Sequence, residues 1–276
     1  MSMGVVDGPS GVSFGDRGLA YGDGMFETIL VRDGTPMLWK YHVARLHDGG
    51  RRLGISLPSE KALHDAMAAA CSQVQGDAVF KLIVTRGEGG RGYLPPSVAE
   101  PAWQCRAVPF DANTACWQGI TARLCHLVLS DQPALAGIKH LSRLENVMAR
   151  REWTDPRIAE GLLLDARGEL VEGTCMNVAW CEQGQWFTPG LRHSGVAGTL
   201  RAALLDAGFL TISAIDTAGL SHSDAVVVFN SVQGVWPLER LMGSDGQLLA
   251  EWNDLALHRT FQHDAHPFLG YPSLIQ

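Results

Sequence analysis

Only four lysines stand against eighteen arginines in this chain of 276 residues, so amine chemistry has few candidates. Lys40 lies between a strand and a helix beside Tyr41 and His42, Lys61 opens an exposed helix, and Lys81 sits in the apolar run Phe80-Lys81-Leu82. Lys139, in Gly137-Ile138-Lys139-His140, is the least ordinary. It follows a loop of small residues, where backbone can approach a ligand closely. A desolvated lysine gives up its charge readily, and the neutral amine is the form that attacks an aldehyde. Lysines are ordinarily solvated, so chemistry at Lys139 needs support from its surroundings.

Three other segments could supply it. Glu172 lies in Glu169-Leu170-Val171-Glu172-Gly173-Thr174-Cys175-Met176-Asn177, an otherwise apolar stretch. A carboxylate is costly to bury there without a cationic partner. On one strand, Glu172, Thr174 and Met176 would share a face, opposite Gly173, Cys175 and Asn177. Ser194-Gly195-Val196-Ala197-Gly198-Thr199-Leu200-Arg201 leads from a glycine-containing loop into a helix. Free amides at such a helix start favour an anion. Gly87-Glu88-Gly89-Gly90-Arg91-Gly92-Tyr93 is a glycine-rich loop whose arginine suits a carboxylate clamp. The histidines His42, His47, His193, His222, His258, His263 and His266 show no ligand spacing, so no metal site is expected. No G-x-S-x-G element is present.

These segments must be held by a scaffold that the hydrophobic pattern outlines. Strands are expected over 25–32, around Met37, and over 78–85 and 101–109, with a turn at Asp33-Gly34. Helices are expected over 42–53 and 59–73, the second opened by Ser59 as a cap. The pattern loosens over 110–119, which reads as a linker between an N-terminal subdomain (1–109) and a C-terminal one (120–276) that includes Lys139. The second half is expected to hold strands at 120–127, 160–165, 169–181, 210–215 and 225–229, with helices at 141–153, 198–207 and 250–262. The whole is mixed α/β rather than a regular β-α-β alternation.

Composition narrows the classes. With 46% hydrophobic residues the chain can build a sizeable core. A net charge of −7 argues against a nucleic-acid footprint, which needs a basic stripe. No apolar run is long enough to cross a bilayer, and residues 1–18 show no export signal. The six cysteines, Cys71, Cys105, Cys116, Cys125, Cys175 and Cys181, form no C-x-x-C pair, which fits a reduced cytoplasmic protein.

The successive segments Asp16-Arg17-Gly18-Leu19-Ala20-Tyr21-Gly22-Asp23-Gly24-Met25-Phe26-Glu27-Thr28, His42-Val43-Ala44-Arg45-Leu46, Gly89-Gly90-Arg91-Gly92-Tyr93, Gly137-Ile138-Lys139-His140-Leu141-Ser142-Arg143-Leu144-Glu145, Glu172-Gly173-Thr174-Cys175-Met176-Asn177 and Gly195-Val196-Ala197-Gly198-Thr199-Leu200-Arg201 resemble those of the fold-type IV pyridoxal-phosphate enzymes. Their aminodeoxychorismate lyase branch is the most similar. The likeness runs from about residue 14 to 240, and the stretch from Gly137 to Glu145 is its most specific part.

The resemblance implies two mixed α/β subdomains with pyridoxal 5'-phosphate as cofactor. It implies that Lys139 is the Schiff-base lysine and proton shuttle, and that Glu172 pairs with the pyridine nitrogen, keeping it protonated so that the ring draws off carbanion charge. It assigns Arg45, Gly198, Thr199, Leu200 and Ser231 to the cofactor phosphate, with Asn230 helping. Thr28, where branched-chain aminotransferases carry glycine, would act beside Lys139. Arg91 and Tyr93 would bind the substrate. The implied reaction splits aminodeoxychorismate into 4-aminobenzoate, a folate precursor, and pyruvate, and the implied assembly is a homodimer. An aminotransferase for D-amino or branched-chain acids would use the same Lys139 and Glu172. A non-catalytic binder on this scaffold is the reading from a different class.

Overall fold

The structure, a computed structural model, describes residues 5–6 and 12–272. The chain divides into two units, Met1–Asp111 with Ile138–Ser142, and Ala112–Gly137 with Arg143–Gln276.

The first unit contains β1 (Val5–Val6), α1 (Arg17–Tyr21), β2 (Gly24–Arg32), β3 (Thr35–Pro36), α2 (Trp39–Leu53), α3 (Glu60–Cys71), β4 (Ala78–Thr85) and β5 (Ala102–Pro109). The strands form an antiparallel sheet in the order β1-β5-β4-β2-β3. Alternation decides what each face carries. Phe80, Leu82 and Val84 are buried, whereas Val79, Lys81 and Ile83 are half-buried. The buried set joins Met25, Ile29 and Val31 of β2, Leu46 of α2, and Leu63 and Met67 of α3 in one core, so the helices cover one face of the sheet.

Local signals account for most boundaries. Asp33 and Gly34 both take positive φ (47° and 75°), the turn geometry that closes a two-residue hairpin. Ser59 caps α3 by accepting the Ala62 N–H at 3.2 Å. α2 starts at Trp39, three residues before the expected His42, because the chain enters through Leu38 in a left-handed conformation (φ 56°) and not through a polar cap.

Lys139 lies in the first unit, not with the C-terminal half in which the sequence division placed it. β3 pairs only with Val31 and Arg32, leaving the start of β2 open on that edge. The segment around His140 takes the place: Phe26 N–H donates to Lys139 O and Leu141 N–H to Gly24 O, each at 3.0 Å. With Leu141 held in this pairing, the expected helix 141–153 starts only at Leu144, and α4 spans Leu144–Arg150.

The second unit begins within the expected linker. Thr114–Trp117 is a short 3-10 turn, and Trp117 is buried with its Nε1 donating to Gln233 O at 2.7 Å. Beyond α4, the unit comprises β6 (Ile120–Leu129), β7 (Ile158–Asp165), β8 (Leu170–Gly173), β9 (Asn177–Glu182), β10 (Gln185–Pro189), α5 (Thr199–Asp206), β11 (Thr211–Ser213), α6 (Thr217–His222), β12 (Ala225–Asn230), β13 (Gly234–Met242), β14 (Leu248–Glu251) and α7 (Ala256–Ala265). Its sheet runs β11-β10-β9-β12-β13-β6-β7-β8, with β14 on β13. β13, β6 and β7 are mutually parallel, and β9, β12 and β13 are antiparallel.

Two expectations fail here. The single strand over 169–181 is two strands, interrupted between Gly173 and Asn177, so Glu172, Thr174 and Met176 do not share a face by simple alternation. The C-terminal helix starts at Ala256 rather than Ala250, because Leu248–Glu251 pairs with β13. Among the described residues no helix is long and apolar enough to cross a membrane, and the six cysteines are thiols.

Candidate active site

On β2 the side chains of Met25, Glu27 and Ile29 point to the helix-covered core, which leaves Phe26 and Thr28 on the opposite face. Lys139 stands across from Phe26 in the backbone pairing, so it emerges on that same face. Its Nζ lies 4.5 Å from the centroid of the Phe26 ring. Lys139 is half-buried, as is Thr28, the next residue along this face of β2. The first unit therefore brings an amine, an aromatic ring and a hydroxyl onto one surface. Lys81, in register with Thr28, adds a second side-chain nitrogen 5.3 Å from the same ring.

Arg45 is held from the core side. Its Nε donates to Glu27 Oε1 at 2.8 Å and its Nη2 to Glu27 Oε2 at 2.6 Å, a fork-on-carboxylate pair. Glu27 is 2% exposed, and His42 Nδ1 also meets its Oε2 at 2.6 Å. Burial works to raise the Glu27 pKa, but Arg45 and His42 outweigh it and bring it down to about 2. For His42, burial is the largest influence and lowers the pKa; the Glu27 charge opposes this, and Arg45 and Lys139 add to the lowering. His42 therefore sits with Nδ1 facing the Glu27 carboxylate, which accepts its N–H. Sequence reading missed this partnership, although Glu27 and His42 both lie in the segments that carry the resemblance.

Arg91 and Tyr93 are exposed, Tyr93 to 84%. Their loop is anchored by Arg17, which sequence reading gave no role. Arg17 is 4% exposed and donates to Gly92 O at 3.0 Å and Tyr93 O at 2.8 Å, while its Nε bonds Asp23 at 2.8 Å. The Tyr21 and Tyr93 rings meet edge to face at 5.4 Å. Asp23 also takes a two-pronged contact from Arg86, whose other donors reach Leu53 O and Gly54 O at the end of α2. Burial tends to raise the Asp23 pKa, but the two guanidinium groups hold it below its usual value.

In the second unit Glu172 is 4% exposed. Its Oε2 accepts the Val196 N–H at 2.8 Å, and Asn146 Nδ2 lies 3.5 Å from its Oε1. Asn177 Nδ2 donates to Val196 O at 2.9 Å, so Val196 is gripped on both backbone groups. Gly198 caps α5 without a side chain. A Cβ there would collide with Asn177 Oδ1, which is why glycine stands at that position. Thr199 and Leu200 are buried at the first turn of α5, where backbone N–H groups lack intrahelical acceptors. Asn230 Oδ1 accepts the Val232 and Gln233 N–H groups at 2.9 and 2.7 Å, which shapes the turn that buries Ser231. The structure thus links Glu172, Gly198, Thr199 and Leu200 through Val196 and Asn177. Asn146 and Asn177 were not identified beforehand; Asn146 is one polar residue on a short helix, and nothing in the sequence singles it out.

A cavity of about 370 Å³ in this unit, walled by Leu170, Val171, Leu191, Arg192, Ser194 and Ile212 among others, contains none of these site residues. Among the described residues no group of three His, Cys, Asp or Glu side chains is placed to hold a metal ion.

The two sheets and the segments at Lys139 and Glu172 define the fold-type IV class. The chain belongs to the class IV aminotransferase family: Amino-transferase class IV matches residues 24–241. It is 33% identical to the aminodeoxychorismate lyase of Vibrio harveyi over 86% of this chain and 90% of that one. It superposes on the crystal structure of 4-amino-4-deoxychorismate lyase from Pseudomonas aeruginosa with a TM-score of 0.82 at 40% identity, covering 96% and 97% of the two chains. D-alanine aminotransferase of Bacillus licheniformis is also similar, 29% identical over 64% of this chain and 62% of that one.

Proposed function

We propose that this chain is a pyridoxal-phosphate-dependent lyase that converts 4-amino-4-deoxychorismate to 4-aminobenzoate and pyruvate, a step toward folate. The observation that carries the reading is the amine of Lys139, half-buried over the Phe26 ring on the face that bears Thr28. The donor set fits the cofactor. Glu172 is a buried acid with one oxygen held by the Val196 N–H, and a carboxylate fixed in this way suits a protonated ring nitrogen. The Gly198 helix start admits backbone close to an anion.

When bound, the cofactor supplies an aldehyde that captures amines and a ring that withdraws electrons. Lys139 would hold that aldehyde through Nζ, and the same atom would serve as the base for the proton on the substrate ring carbon bearing nitrogen. Lys139, with the Thr28 hydroxyl beside it, returns a proton to the departing enolpyruvyl group. Aromatisation of the product ring supplies much of the driving force. Glu172 would face the ring nitrogen. Arg45 and the first-turn amides of Thr199 and Leu200 take the phosphate, with Ser231 and Asn230 assisting. Arg91 and Tyr93 receive the substrate. A clamp residue as exposed as Tyr93 cannot exclude water unaided, so the proposal includes a homodimer in which a second copy covers this loop. It places the enzyme in the cytoplasm.

An aminotransferase would share Lys139 and Glu172, and the similarity to a D-alanine aminotransferase keeps that reading in view. The deciding assay supplies aminodeoxychorismate with no keto-acid acceptor and follows 4-aminobenzoate fluorescence. The lyase forms product, whereas an aminotransferase stalls. Lys139→Ala abolishes product, and borohydride reduction of the holoenzyme tags the Lys139 peptide. Thr28→Gly slows turnover about tenfold or more, as loss of a proton-transfer group does, and leaves cofactor binding intact. Retained turnover in Lys139→Ala would overturn the reading.

A further inference from the structure

We propose that Glu160, on β7, is a positioning residue that sets Glu172 by anchoring the turn Thr174–Met176; this rests on the assignment of Glu172 to the cofactor ring nitrogen.

Glu160 is 1% exposed and, among the described residues, makes no ion pair. A carboxylate buried without a cation is expensive unless donors converge on it. Five do. Oε1 accepts from Gly161 N–H at 2.8 Å, from Thr174 N–H at 3.0 Å and from the Thr174 hydroxyl. Oε2 accepts from Cys175 Sγ at 3.2 Å and Cys175 N–H at 3.4 Å. Four of the five donors belong to Thr174 and Cys175, the residues at which the chain leaves β8 before resuming as β9. Gly173 makes the approach possible: a Cβ there would stand 3.1 Å from Glu160 Cγ and Cδ, closer than ordinary contact.

The anchored turn reaches Glu172 from two sides. Thr174 O accepts Asn146 Nδ2 at 3.1 Å, and the same amide lies 3.5 Å from Glu172 Oε1. After the turn, Asn177 fixes Val196 O at 2.9 Å, and the Val196 N–H holds Glu172 Oε2 at 2.8 Å. Releasing the turn therefore loosens the groups that orient each oxygen of Glu172. Cys175 O, bonded by Asn230 Nδ2 at 3.4 Å, ties the Asn230 turn to the same point. Glu160 touches neither cofactor nor substrate in this scheme.

The test is a double-mutant cycle on the holoenzyme, reading the pH titration of the bound cofactor's visible absorbance and the dissociation constant of pyridoxal phosphate. Glu160→Gln turns an amide N–H toward donors that met an oxygen. It shifts the absorbance titration in the same direction as Glu172→Gln and weakens cofactor binding by about tenfold, the scale of one lost hydrogen bond to a charged group. The double variant is no worse than Glu172→Gln alone, because both act through one group. Thr174→Val, which removes the hydroxyl donor, shifts the titration the same way, and Thr174→Ser restores it. If Glu160→Gln does not fold, the Thr174→Val and Thr174→Ser pair decides. Additive effects of Glu160→Gln and Glu172→Gln, or a wild-type titration in Glu160→Gln or Thr174→Val, overturn the proposal. No shift in Glu172→Gln itself overturns instead the assignment of Glu172, a distinguishable failure.

Discussion

Replacing Glu27 by glutamine should destabilise the cofactor-free protein substantially, and the structure gives the amount. The carboxylate takes both prongs of Arg45 and the Nδ1–H of His42 within 2.8 Å. The drop in its pKa from 4.5 to about 2 corresponds to about 3 kcal/mol of folding free energy. That agrees with the roughly 3–5 kcal/mol lost when one partner of a buried ion pair is removed. Because the folded-state pKa lies below the unfolded one, this stability is fully present above about pH 4.5 and is lost as pH falls toward 2. The assay is urea unfolding of wild type and Glu27→Gln at a series of pH values. At neutral pH the variant's midpoint should fall by about 1 M, given a slope of about 3 kcal/mol per molar for a chain of this size. Between pH 5 and pH 2 the gap should close, because the wild-type carboxylate protonates. Equal midpoints at neutral pH, or a gap that stays constant down to pH 2, would refute the view that Glu27 is an ionised anchor for Arg45.

Gly198→Ala pushes a methyl group into Asn177 Oδ1; it should cost about 1–3 kcal/mol of stability and weaken pyridoxal phosphate more than pyridoxal in a binding titration. His258 and His266 are fully buried, and burial pushes each pKa down to about 4. Their Nε2 atoms accept the Val226 and Val235 N–H groups at 3.3 and 3.1 Å. Lowered folded-state values mean that the second unit keeps this stability above pH 6.5 and loses it as pH falls toward 4; the variant His258→Gln/His266→Gln should flatten the stability profile across that window in thermal melts. Arg17→Lys retains charge but loses the planar fork. It should speed amide exchange in the loop at Gly92, Tyr93 and Leu94 and raise KM for the substrate with little change in kcat, and unaltered exchange there would remove Arg17 as the anchor.

Features fixed by neighbours in sequence were readable before the structure. The Ser59 cap, the Asp33-Gly34 turn and the alternating run Ala78–Thr85 each follow from local geometry, and each stands within a residue of its expected place. β13 did not announce itself: Gly234–Met242 includes Pro237 and lacks clean alternation, and it is a strand because β12 and β6 flank it. The break after Gly173 has a similar origin. Local pattern favours one long strand, but Glu160, on a neighbouring strand, draws Thr174 and Cys175 out of line. Lys139 was legible by residue type, whereas its pairing with β2 depends on an edge that β3 leaves open.

The same division runs through the site. Residues with distinctive chemistry, such as Lys139, Glu172 and Arg45, can be named from type and motif. The residues that fix their orientation are a histidine, asparagines, a glycine and two further acids, whose roles arise only when a partner far along the chain arrives. Residue type leaves the orientation of Arg45 open, but in the structure its Nε and Nη2 are turned onto Glu27. Glu172 by itself reads as an edge charge, but between Val196 and Asn146 it is a directed carboxylate. On the proposed roles, reactivity in this scaffold is specified at two levels, and substitutions at the second should alter spectra and cofactor affinity while the Lys139 amine stays in place.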